Sequence, residues 1–78
     1  MTTDQFAEAD HVYARARMDL REARRKRDAL AVKIVERLIE GRATDALCHT
    51  FTRVQNRVDL AEDRLERAAE DCDVARGI

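Results

Sequence analysis

Apolar residues recur along this chain at alternating steps of three and four, the spacing that lines one face of an α-helix. An N-terminal series runs Phe6, Ala9, Tyr13, Ala16, Leu20, Ala23, Arg27, Leu30 and Ile34. A C-terminal series runs Leu47, Phe51, Val54, Val58, Ala61, Leu65, Ala68, Cys72 and Ala75. Each is a heptad seam sustained over about four repeats. The segment Glu40-Gly41-Arg42-Ala43-Thr44-Asp45 interrupts them. Gly41 can adopt the left-handed conformation that closes a helix. Thr44 can cap the next helix, with Asp45 favourable in its first turn. Thr2 or Thr3 offers a cap at the start, and Gly77 a stop at the end. The pattern predicts one domain over residues 1–78, with helices over about 3–40 and 45–76 and a loop over about 41–44.

A chain with so short a loop folds back as a helical hairpin or continues as one bent rod, and the complementary seams favour the hairpin. The expected fold class is therefore all-α, an antiparallel two-helix coiled-coil hairpin. Large and small seam residues alternate in a way that suits this arrangement. If facing residues have numbers adding to 81, Phe6 meets Ala75, Tyr13 meets Ala68, Ala16 meets Leu65 and Leu20 meets Ala61. Large then opposes small at each layer, as dense packing requires. A shift of one heptad preserves the match, so pattern alone leaves the register open. It also leaves open an exchange of helices between two chains.

Two helices enclose no interior, and small domains are marginal without further apolar contacts. From Ala29 to Ile39 the first helix is apolar on nearly every side. Ala29, Val32, Val35 and Ile39 lie away from the seam, and an exposed apolar patch usually marks an interface. The expected arrangement is a homodimer forming a four-helix bundle. The alternative occupant of that patch is a different protein.

Composition narrows the function classes. Of the 78 residues, 40% are charged, with 15 basic against 16 acidic and a net charge of −1, so bulk attraction to nucleic acid is absent. Proline is missing and glycine appears twice, which argues against an all-β fold. No apolar run approaches the ~20 residues of a membrane span, and no signal-peptide pattern opens the chain. Two reduced cysteines fit a cytoplasmic protein. Cys48 and Cys72 would stand about 36 Å apart along one helix at ~1.5 Å per residue, far beyond disulfide reach. Cys72 reads as a small seam residue, and Cys48 lies beside the seam.

The local distribution of charge is more informative than the total. Arg17, Arg21, Arg24 and Arg25 form a basic cluster on the first helix. Asp59, Asp63, Glu66, Glu70 and Asp73 recur at steps of four and three, forming an acidic ridge on the second. Arg64 and Arg67 are placed to pair with the ridge along the helix. Carboxylates crowd the C-terminal turns, where the helix dipole disfavours them. Arg27 is the one charged seam residue, and its stem can pack while its head reaches water.

Candidate chemistry is sparse. There is no Gly-rich phosphate loop, no nucleophile elbow and no Ser/His/Asp pattern, so no catalytic residue is assigned and an enzyme is not expected. Cys48 and His49 are adjacent, and helical ligand pairs prefer a spacing of four. His11 can approach Cys72 across the hairpin, near Asp10 and Asp73. No metal and no cofactor are expected. In architecture the chain resembles the plasmid Rop family, helical hairpins that dimerise into four-helix bundles and bind RNA hairpins. The likeness covers shape and seam layering alone, and no functional residue is carried over. The Trp-x-Gly turn of secreted WXG-type hairpins is absent, since the loop reads Glu40-Gly41-Arg42.

Three functions follow as expectations. The first is a self-associating, non-enzymatic interaction module that acts as an adaptor or inhibitor by occupying a protein partner's surface, as a phage- or mobile-element-type regulator would. The second is a Rop-like dimeric RNA-binding regulator, with the Arg17–Arg25 cluster on the phosphates. The third is an acidic nucleic-acid mimic that uses the ridge to block a basic surface.

Overall fold

Two long helices lie side by side in the computed structural model, which describes residues 3–77, with side chains from Ala7 onward. Helix α1 spans Thr3–Ile39 and α2 spans Asp45–Arg76. The hairpin measures 59 × 16 × 13 Å, with a radius of gyration of 17.6 Å. A compact chain of this length would have a radius of gyration of about 11.5 Å. The elongation has a direct consequence: the core is a line between two rods.

That line is the heptad seam. Ala16, Leu20, Val54, Val58, Ala61, Ala68 and Cys72 are buried, and no polar or charged side chain is buried among the described residues. Leu20, Val58 and Ala61 form the centre of the core, with Ala23 and Leu65 packed against it. Val58 alone reaches 0% exposure. Tyr13, Leu30, Ile34, Leu47 and Phe51 are half-buried on the same seam. Alanine at alternate layers lets the helices approach closely enough for large residues to fill the opposite gaps.

The register is pinned at one end by a thiol. Cys72 Sγ donates to the Ala9 carbonyl oxygen at 3.2 Å, and these two residue numbers add to 81. Leu20 packing on Ala61 gives the same sum. Two ion pairs also cross the seam, Arg24–Glu62 and Arg76–Asp10, each at 3.3 Å. Both are exposed, so each contributes roughly 0.2–1 kcal/mol and marks the alignment more than it stabilises it. The Phe6–Ala75 layer and the caps at Thr2 or Thr3 involve groups outside the described residues.

The loop follows from one glycine. Gly41 has φ +71°. Its N–H donates to the Leu38 carbonyl at 3.1 Å, and the Arg42 N–H donates to the Arg37 carbonyl at 2.9 Å. This pair of bonds is the Schellman closure. Gly77 ends α2 with φ 78° and its N–H on the Asp73 and Val74 carbonyls. The expected Thr44 side-chain cap is not made. Thr44 sits at the N-cap position, but with φ −118° and ψ 3° its hydroxyl makes no capping hydrogen bond. Its hydroxyl oxygen instead accepts from the Cys48 thiol at 3.8 Å, while its carbonyl accepts the Cys48 N–H at 2.8 Å.

Candidate functional site

Among the described residues no cavity closes between the two rods, so the candidate sites are faces. A helix advances about 100° per residue, which fixes which side chains share a face. The Arg24–Glu62 pair crosses the seam. The flank of α1 bearing Arg24 and the flank of α2 bearing Glu62 therefore form one face, here the charged face. Arg17 and Arg21 flank Arg24 on α1. Beyond Glu62 on α2, Asp59, Asp63, Glu66, Glu70 and Asp73 lie within about 20–100° on the outer side. The charged face is thus basic along α1 and acidic along α2.

The four clustered arginines are exposed. Arg17, Arg21, Arg24 and Arg25 line one shallow groove with Met18, Leu20 and Leu65. Arg24 holds Glu62, and the Arg17 guanidinium lies over the Tyr13 ring at 5.9 Å, within cation–π range. Arg21 and Arg25 have no ion-pair partner among the described residues. The same is true of the ridge residues Asp63, Glu66, Glu70 and Asp73. Asp59 accepts a hydrogen bond from the Gln55 amide at 3.0 Å.

The apolar patch lies at the loop end of the same side of α1. Val32 and Val35 are more than half exposed, Ile39 is 81% exposed, and Ala29 is also exposed. Leu38 joins them at 61% exposure. The periodicity obscured Leu38 because it is in phase with the seam. The seam runs past the start of α2 at that level, so no side chain of α2 covers it. Opposite this end, α2 continues after its first residue, Asp45, as an uncharged stretch, Ala46-Leu47-Cys48-His49-Thr50-Phe51-Thr52. Thr50 and Thr52 turn their hydroxyls back onto the Ala46 and Cys48 carbonyls, each at 3.1 Å.

The reverse face carries a feature that sequence reasoning missed. A groove floored by Ala16, Ala61 and Ala68 runs along the seam, with Val12, His11, Arg15, Asp19, Arg64, Arg67 and Asp71 around it. It continues past Ala23, Lys26, Arg57 and Leu60. Arg64 and Arg67 make no ion pair with the ridge, contrary to expectation; they point to this groove, on the far side of α2. Their alignment with Arg57 at steps of three and seven was readable from the sequence. The cross-seam partners Arg15 and Lys26 became visible only once the helices were paired.

The remaining single residues are quiet. Arg27 is half-buried, with its Nε donating to Asp28 Oδ1 at 3.2 Å, which keeps its head at the surface. Cys48 is an exposed free thiol and Cys72 a buried one. Burial pushes the Cys72 thiol upward, and the neighbouring Asp10 carboxylate adds to the rise. His11 does not join Cys72; it is exposed and lines the reverse-face groove. Among the described residues there is no cluster of three or more potential metal ligands. No described helix is long and apolar enough to cross a membrane. Comparisons with protein-family models, with curated proteins and with solved structures find no match to this chain.

Proposed function

We propose that this chain is a non-enzymatic interaction module that self-associates and acts on a protein target by occupying one of its surfaces, as an adaptor or a small inhibitor. The observation that carries the reading is the exposed apolar end of α1, where Val32, Val35, Leu38 and Ile39 stand uncovered. A chain in which Val58 is the only fully buried large side chain among the described residues gains much from covering them. An exposed hairpin also has the geometry to lie along another helical surface.

The test is molar mass by light scattering after size exclusion, at low and high salt. The parent chain should run near twice its 9.0 kDa. Val35→Asp and Ile39→Asp should each return it to a monomer while far-ultraviolet circular dichroism keeps the helical signal. A parent mass of 9.0 kDa at both salts, or aspartate variants that assemble as the parent does, refutes the self-association.

A second reading has its own observation. Arg15, Lys26, Arg57, Arg64 and Arg67 share the reverse-face groove, against Asp19, Glu22 and Asp71. That local basic excess suits phosphate contacts of an RNA-binding regulator. Tyr13 and Phe51 are half-buried in the seam and are not free to stack on bases. Binding of a labelled RNA hairpin with a steep salt dependence supports this reading, and no binding at low salt removes it.

A further inference from the structure

We propose that the charged face docks onto the same face of a second copy of this chain, with α1 of each protomer against α2 of its partner and both loops at the same end. This rests on the self-association part of the function proposed above and adds which face is used and in which orientation.

The argument begins with symmetry. Two identical hairpins meeting face to face by a two-fold axis have two choices. An axis across the helices stacks α1 on α1, and at the level of Arg21 it places the Arg17–Arg25 cluster against its own copy. An axis along the helices stacks α1 on the partner's α2. The first choice opposes like charges around the axis, and such juxtapositions are disfavoured by several kcal/mol. The second opposes basic to acidic twice, once on each side of the axis.

The levels match as well as the signs. An axis along the helices keeps the levels of the intrachain seam, so residues at the same height have numbers adding to about 81, as Ala9 and Cys72 do. Arg17 then lies level with the gap between the partner's Asp63 and the partner's Glu66. Arg21 lies level with the partner's Asp59 and the partner's Asp63. Further along, Val32 and Val35 come level with the uncharged stretch that follows the first residue of the partner's α2. At these levels Arg17 and Arg21 meet the partner's acidic ridge, and Val32 and Val35 meet an uncharged stretch of the partner's α2.

Two further observations fit. Arg21, Asp63 and Glu66 have no ion pair within the chain among the described residues, so they remain available to a partner. A face of 59 × 16 Å is also of the size needed, since standard interfaces bury about 800 Å² per partner. The alanine-floored reverse groove stays open in this dimer.

The experiment uses the full chain and two exposed-site variants, Arg21→Glu and Asp63→Arg. Dissociation constants come from light scattering and sedimentation over a dilution series at low salt. Each variant alone should dimerise at least about tenfold more weakly than the parent, because each sets like charges against each other at two symmetric points. An equimolar mixture should recover the parent constant within about threefold, because the two changes then face each other and the native pair faces itself. If both variants dimerise as the parent does, if mixing recovers nothing, or if Arg21→Glu tightens the dimer, this arrangement is overturned. Tightening is the result expected for α1 stacked on α1. A parent that stays monomeric overturns the self-association reading itself, whereas a parent dimer indifferent to both changes overturns only this arrangement. An independent readout is Val32→Cys, which on oxidation should give a covalent dimer through Cys48 of the partner subunit and none when combined with Cys48→Ser.

Discussion

Val58→Ala is the sharpest probe of the seam, because Val58 is the described side chain with 0% exposure. The change removes two methyl groups from the layer formed with Leu20, Ala61, Ala23 and Leu65. At ~0.8 kcal/mol per buried methylene equivalent, the lost transfer energy is about 1.6 kcal/mol. The space left behind adds up to roughly 1 kcal/mol if the helices do not close in. Alanine returns about 0.5 kcal/mol through its better helix propensity. The net loss is about 2 kcal/mol, from a domain expected to hold on the order of 4–12 kcal/mol in total. The midpoint of thermal unfolding should fall by roughly 8–16 °C.

The assay is thermal and urea unfolding followed by circular dichroism, at one matched protein concentration, since assembly shifts apparent stability. Leu60→Ala is the internal control. Leu60 is two residues away on the same helix, is 51% exposed, and loses almost no helix propensity on truncation. It should cost under about 1 kcal/mol. Equal losses at the two positions would refute the seam as the stabilising core and point to helix content alone.

Ala16→Leu should destabilise by up to about 1–3 kcal/mol, because Ala16 is buried where the two helices approach and the reverse-face groove takes up only part of the three added carbons; urea unfolding reads it. Gly41→Ala should cost about 1 kcal/mol while leaving both helices intact, since nothing lies within 4 Å of the added Cβ and only the φ of +71° opposes it. The Cys72 thiol, held above its ordinary value of 9.0, makes the fold weaken in alkali. The folded chain keeps the proton that the unfolded chain releases, so this contribution is complete below pH 9 and lost as pH rises through the raised folded value. The stability advantage of the parent over Cys72→Ala should therefore shrink as pH rises above 9.0, and an advantage that stays constant into strong alkali would contradict the assignment.

The sequence by itself determined the hairpin. Its two seams differ in phase from their polar neighbours over many turns, and a glycine followed by a threonine separates them. Helical periodicity is a local property and survives without knowledge of the partner helix. It also located the arginine cluster, the carboxylate ridge and the exposed valines, because residues on one helix face recur at three and four. The Thr44 cap was not legible in this way, since capping depends on the backbone angles of one residue. What only the tertiary structure decided is how the two helices are aligned and which flanks share a face. The Cys72–Ala9 hydrogen bond selects one heptad register among those the pattern allowed. The Arg24–Glu62 pair places the basic cluster beside the acidic ridge, and the pairing turns Arg57, Arg64 and Arg67 toward a groove with Arg15 and Lys26. Those juxtapositions join residues about 30–60 positions apart in sequence, and no periodicity within one helix encodes the rotation of that helix against another.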